Sequence, residues 1–178
     1  VRYELRFSGA GGQGLILIGK ILAEAAAIYE GKNASQSQSY GPEARGGASR
    51  SEVIISDDLI DFPKATCIDC LLALTQEACD KYWRDLKDDG MLIVDSDAVT
   101  TLPPTQAEIH SFPLAAVARE QVGRELVANL VALGLVVGLT HIVSPKSVES
   151  AVLSRVPRGT EEMNLKAFRA GLALADTP

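Results

Sequence analysis

Residues 3–31 read "YELRFSGAGGQGLILIGKILAEAAAIYEG", and the reading of this stretch decides the fold. Its first part, residues 3–8, alternates apolar and polar side chains and runs into glycine, as a first strand does. Gly9, Gly11 and Gly14 follow in the order G-x-G-x-x-G. Beyond them Leu15, Ile18, Leu22, Ala25 and Tyr29 recur at helical spacing and predict an amphipathic helix. Gly31 supplies a left-handed closing residue. A strand, a glycine turn and a helix in that order open an α/β domain.

The alternation continues along the chain. Residues 33–38 predict a short second strand, although every side chain but Ala34 is polar, and "ASRSEVIIS" at 48–56 predicts a third. The connection between them is too short for a helical crossover, so these two strands are not parallel neighbours. Apolar runs at 67–74 and 91–95 flank a helix over 76–86, with "DDG" at 88–90 as the turn. That is a parallel strand–helix–strand unit. "LPP" at 102–104 breaks the chain. A strand at 108–112 follows, then helices over 114–122, 125–140, 145–153 and 161–173. No repeat or low-complexity linker interrupts the pattern. The expectation is one α/β domain over 1–178 with helices on both faces of the sheet.

The composition is that of an ordinary globular chain, 47% apolar and 22% charged. The opening residues read as strand and loop rather than as a secretory leader. The longest apolar run, 126–139, falls short of the ~20 residues a bilayer requires and is broken by Asn129, so it reads as a buried core helix. Gly134 and Gly138 within it allow close helix packing, in the core or at a subunit interface. The net charge of −6 argues against a nucleic-acid partner. It is unevenly spread. Residues 51–100 hold twelve acids and four bases, residues 101–178 seven of each, and residues 1–50 four acids and six bases. Both glycine-rich stretches lie in that only net-basic third, a hint of an anionic ligand.

In the first of them, "GAGGQG", the candidate ligand-binding residues are Gly9, Gly11, Gly12, Gln13 and Gly14. Glycine admits a sharp turn and a close approach of phosphate to the amides, and the helix start adds unsatisfied N–H groups. A dinucleotide site also wants an acid near the end of the second strand. Residues 33–38 hold none, and Glu30 stands before the strand on the helix end. A turn needed only to pack helix on strand remains the alternative. The second stretch, "SYGPEARGG" at 39–47, fits neither helix nor regular strand. Gly41, Gly46 and Gly47 permit unusual backbone, and Pro42 stiffens it. Arg45 offers a planar fork for phosphate or carboxylate, and Tyr40 a flat face with a polar tip.

Other reactive residues are few. Cys67 and Cys70 form "CIDC" but, three apart on a strand, point to opposite faces; with Cys79 they read as buried, inert thiols. Reduced cysteines fit a cytoplasmic protein. His110 and His141 show no nucleophile or carboxylate partner in sequence. Asp95 and Asp97 stand at a strand's carboxyl end and read as turn acids. No residue is assigned as catalytic or as a metal ligand.

Taken together, "GAGGQG", "SYGPEARGG" followed by "SEVIIS", "VDSD" at 94–97, "VANLVALG" at 127–134 and "NLKAF" at 164–168 resemble the gamma subunit of 2-oxoacid:ferredoxin oxidoreductases. The 2-oxoglutarate-type enzymes look closest, and the resemblance covers nearly the whole chain. It implies a single Rossmann-like domain with a mostly parallel, mixed sheet. It implies a complex that oxidatively decarboxylates a 2-oxoacid to an acyl-CoA and reduces ferredoxin. Alpha and beta subunits would be partners and hold the thiamine diphosphate and iron–sulfur clusters; a ferredoxin-like delta subunit is a further candidate. This chain would be inactive alone. Coenzyme A is the ligand the two glycine loops would suit, through Tyr40, Arg45, Gly46 and Gly47 as well as the first loop. A pure subunit-contact loop, with Arg45 paired to a partner's acid, is the equal alternative. The corresponding subunit of indolepyruvate:ferredoxin oxidoreductase and a free-standing dinucleotide enzyme are the competing functions.

Overall fold

The structure is a computed structural model that describes residues 1–39 and 48–177. Six strands form one sheet in the order β2-β3-β1-β4-β5-β6. In chain order the elements are β1 (Arg2–Ala10), α1 (Leu15–Glu30), β2 (Asn33–Gln38), β3 (Ala48–Ser56), β4 (Ile68–Ala73), α2 (Gln76–Tyr82), β5 (Leu86–Asp95) and β6 (Glu108–Phe112). Then come α3 (Leu114–Val117), α4 (Ala128–Thr140), α5 (Pro145–Arg155) and α6 (Glu161–Ala175). β4, β5 and β6 run parallel to β1, whereas β3 is antiparallel to both of its neighbours, β1 and β2. The sheet is therefore mixed and mostly parallel, with a single reversed strand. No helix of the described residues is long and apolar enough to cross a membrane.

Alternation along the strands divides two layers of core. Leu5, Phe7, Val53, Ile55 and Leu72 join α1, α4, α5 and α6 on one face. Ile54, Leu71, Leu92 and Val94 join α2 on the other. α4 is buried along Asn129–Val137, all round its circumference, so it needs no amphipathic stripe. It meets α6 with almost no space between backbones. A Cβ on Gly134 or Gly171 would overlap the carbonyl oxygen of Phe168 or Val131, respectively. The small residues of "VANLVALG" thus serve packing inside this chain.

Several element boundaries differ from the sequence expectation for identifiable reasons. β1 reaches Ala10 because Gly9 and Ala10 pair with Ser49 and Ala48, so Gly9 belongs to the strand. The helix expected over 76–86 stops at Tyr82 and tightens into a 3-10 turn, and Leu86 already begins β5. The "DDG" turn is a bulge in that strand, since β4 Ile68 and Cys70 pair with Leu86 and Met91. The helix expected over 114–122 is one α turn followed by a π turn that Gly123 closes at φ 96°.

Candidate ligand-binding site at the glycine loop

The chain leaves β1 for α1 on one face of the sheet and leaves β4 for α2 on the other. These adjacent strands therefore flank a topological switch point, where open α/β sheets form a crevice at their carboxyl ends. A cavity of about 320 Å³ lies there, lined by Gly12, Gln13, Leu74, Asp95, Ala115 and Asn129 among others. A second cavity of about 320 Å³ runs beside the start of α1, from Ala10 to Leu17, and reaches Ser49.

The glycine loop between them is held from within. Gly12 and Gly14 take φ of 86° and 74°, a region L side chains rarely adopt. Gln13 turns back on the strand: its Oε1 accepts the Ala10 N–H at 2.6 Å, and that side chain occupies the space a Cβ on Gly9 would need. Gly14 is the N-cap residue of α1, which opens with no acidic residue in its first turn and no side-chain cap. Gly11 and Gly12 are exposed, so the loop's outer flank is free of protein cover. An anion drawn to the first-turn amides would meet a donor array there. To use the Ala10 amide as well, it would have to displace the Gln13 side chain.

Asn129 is the member that sequence reading missed. In the sequence it stands only as a break in an apolar run. Its Nδ2 donates to the Gly14 carbonyl at 3.2 Å, and its Oδ1 accepts the Leu130 N–H at 2.9 Å. A Cβ on Gly14 would collide with it. A lone buried amide in a helix otherwise apolar on all sides was the available signal, because such a group must find partners.

Asp95 lines the same crevice as the turn acid expected of it. One carboxylate oxygen accepts the Asp97 N–H and the other the Ala115 N–H, both at 3.0 Å, so it ties β5 to the start of α3. Asp97 is exposed. Glu30, the acid nearest β2, accepts the Ser144 N–H at 2.7 Å. Burial pushes its carboxyl up, but this bond, the Ser147 and Ser144 hydroxyls and the Lys32 ammonium outweigh that and hold it below the ordinary value. Glu30 anchors α5 rather than reading a ribose, which removes the second element of the dinucleotide reading.

The remaining candidates are scattered. Cys70 and Cys79 are buried, and burial pushes their thiols up to about 12 and about 11, with Asp69 and Asp80 adding to it. Cys67 is exposed, contrary to expectation, because β4 starts one residue later. His110 does have a carboxylate neighbour, Glu108 Oε1 at 2.9 Å on the same strand. His141 is an exposed left-handed C-cap at φ 54°. Among the described residues no group of three or more His, Cys, Asp or Glu could hold a metal ion. Tyr40, Arg45, Gly46 and Gly47 lie outside the described residues.

The family described as pyruvate ferredoxin/flavodoxin oxidoreductase matches residues 4–174. The 2-oxoglutarate synthase subunit KorC of Methanocaldococcus jannaschii is 51% identical over 177 residues, covering 98% of this chain and 95% of that one. A crystal structure of a keto/oxoacid ferredoxin oxidoreductase gamma subunit from Geobacter sulfurreducens superposes with a TM-score of 0.89 at 61% identity, over 97% of this chain and 98% of that one. The 2-oxoglutarate:ferredoxin oxidoreductase of Magnetococcus marinus shares the fold alone, at 23% identity and a TM-score of 0.86; there 99% of this chain matches 31% of a longer one. From the match along nearly its whole length, this chain belongs to the pyruvate ferredoxin/flavodoxin oxidoreductase family.

Proposed function

We propose that the chain is the gamma-type subunit of a 2-oxoglutarate:ferredoxin oxidoreductase and works only within that complex. The observation that carries this reading is the end-to-end likeness, 51% identical, to a curated 2-oxoglutarate synthase subunit of nearly the same length. The reaction takes a 2-oxoacid, coenzyme A and two oxidised ferredoxins to an acyl-CoA, carbon dioxide, a proton and two reduced ferredoxins. Thiamine diphosphate and iron–sulfur clusters in the partner subunits supply the decarboxylation and the electron transfer.

The part this chain's residues play is to lend one wall to a shared site. The open flank of Gly11 and Gly12, and the uncapped first turn of α1, suit the phosphates of coenzyme A. Asn129 holds Gly14 and so the direction in which those amides point. Arg45, in the second glycine stretch, is the proposed cationic clamp. Among the described residues nothing near the loop is arranged as a nucleophile with its base, and the chemistry is expected elsewhere in the complex.

A tagged copy purified from the native cell tests this. It is expected to bring down the other subunits, and the assembly to reduce a viologen dye with 2-oxoglutarate and coenzyme A. The isolated chain is expected to give no reduction with any 2-oxoacid. Turnover by the pure chain, or a tagged chain that captures no other subunit, would sink the reading.

A further inference from the structure

A third cavity, of about 220 Å³, lies where α1, α4 and α6 begin. It adjoins the crevice at the switch point, because Gly12, Leu126 and Asn129 line both. Gly14 lines it as well, so the glycine loop forms one of its sides. Leu17, Val127, Pro157 and Met163 make the other walls apolar. A pocket for a drug-sized ligand runs to about 300–1,000 Å³, so this one takes a single ring or a short arm of a larger molecule.

One polar group in this cavity is half used. Asn164, on α6, is only 6% exposed. Its Nδ2 donates to the Thr160 carbonyl at 2.9 Å, and among the described residues its Oδ1 accepts nothing. No fully enclosed side-chain oxygen or nitrogen of the described residues lacks a hydrogen bond, so this oxygen opens on space, and the space that Asn164 lines is the cavity. An acceptor left unpaired at such depth costs stability, and its place among apolar walls points to a ligand that donates to it. The side-chain donors nearby are engaged. The Thr160 hydroxyl donates to the Pro157 carbonyl at 2.6 Å, and Asn129 bridges Gly14 and Leu130. A peptide-like amide, such as the pantetheine arm of coenzyme A carries, would bring its carbonyl into apolar surroundings with no free partner. A flat ring with an exocyclic amine brings N–H groups to the free acceptor and an apolar body to the walls.

We propose that this cavity takes the adenine ring of coenzyme A, with the 6-amino group donating to Asn164 Oδ1 and the phosphates lying back over the glycine loop. The inference rests on the coenzyme A reading above. Its test compares, in the assembled complex, coenzyme A with an analogue that carries hypoxanthine in place of adenine, whose 6-oxo group accepts where the amine donates. Wild type is expected to use the analogue with kcat/KM lower by about tenfold or more, mainly through KM, because two acceptors would face each other. Asn164→Leu is expected to raise the coenzyme A KM about tenfold and to tell the two coenzymes apart by less than about twofold. Equal use of the two coenzymes by wild type would overturn the proposal, and that measurement stands whether or not the variant folds. An Asn164→Leu complex that keeps the wild-type discrimination would overturn it too, whatever its KM. Dye reduction by wild type that does not depend on coenzyme A would overturn both this proposal and the coenzyme A reading; coenzyme A-dependent turnover that treats the two coenzymes alike would overturn this one alone.

Discussion

The two faces of β1 are built on opposite principles. Toward α1 and α4–α6, β1 presents Leu5 and Phe7, both fully buried in an apolar layer. One residue over, on the other face, the same strand presents Glu4, Arg6 and Ser8, also buried. Glu4 accepts the amides of Thr66 and Cys67 and the Arg2 guanidinium; Arg6 takes Glu52 and Asp85; Ser8 donates to the Leu72 carbonyl. The first face is held by area removed from water, which tolerates small losses anywhere. Along β1 the second adds buried pairing to the apolar layer of Ile54, Leu71 and Leu92, so removing Arg6 leaves Glu52 charged and nearly dry. Apolar layers on both sides of the sheet make the fold.

The largest effect is expected on the apolar face. A Cβ on Gly171 would overlap the Val131 carbonyl and stand 2.8 Å from the Leu135 nitrogen, both backbone atoms that cannot give way. Gly171→Val should therefore force α4 and α6 apart, costing about 4 kcal/mol or more and leaving little folded chain. Urea unfolding followed by circular dichroism measures it. An unchanged midpoint would show that the helices have room between them.

On the polar face, Arg6→Met should cost about 3 kcal/mol, because Glu52 is left nearly buried with no partner; Asp85, half exposed, can turn to water. The double variant Arg6→Met/Glu52→Met should recover most of that. A double variant as unstable as the single would mean the pair itself, rather than the orphaned charge, holds this face.

The thiols give a smaller, pH-dependent contrast. Cys70 and Cys79 have folded pKa values raised to about 12 and about 11, against about 8.5 in an unfolded chain. Their contribution to stability is fully present below the unfolded value. Above it the unfolded state holds fewer protons, so stability falls as pH rises toward the folded values, by about 1.4 kcal/mol per pH unit for each thiol. Replacing both with Ala should flatten that alkaline slope. In the native chain a thiol reagent at pH 8 should titrate Cys67 quickly and the other two only on unfolding; three fast thiols would contradict the burial of β4 and α2.

The smallest effect on stability is expected at Arg45. Arg45→Ala should leave melting of the isolated chain within about 0.5 kcal/mol of wild type. In the complex it should weaken coenzyme A use or subunit association about tenfold or more, since a charge-assisted hydrogen bond contributes roughly 1.5–3 kcal/mol. Weakened assembly with unchanged coenzyme A kinetics would select the contact role. A large drop in melting temperature would make Arg45 part of the fold.

What the sequence determined by itself was local or periodic. The alternation at 3–8, the glycine turn and the helical stripe from Leu15 are set by neighbours a few residues apart, so β1, the loop and α1 were legible. The reversal of β3 was half legible, because nine residues cannot hold a crossover. Tertiary structure alone decided what depends on distant partners. Asn129 meets Gly14 across 115 positions, Glu30 meets Ser144 across 114, and Arg6 meets Glu52 across 46 and Asp85 across 79. The split of helix 114–122 and the bulge at 87–90 are of the same kind, because packing and pairing overrode local preference there. Period tells which residues turn inward; it does not tell which of them will face one another, because that is settled only when the strands take their register and the helices close over them.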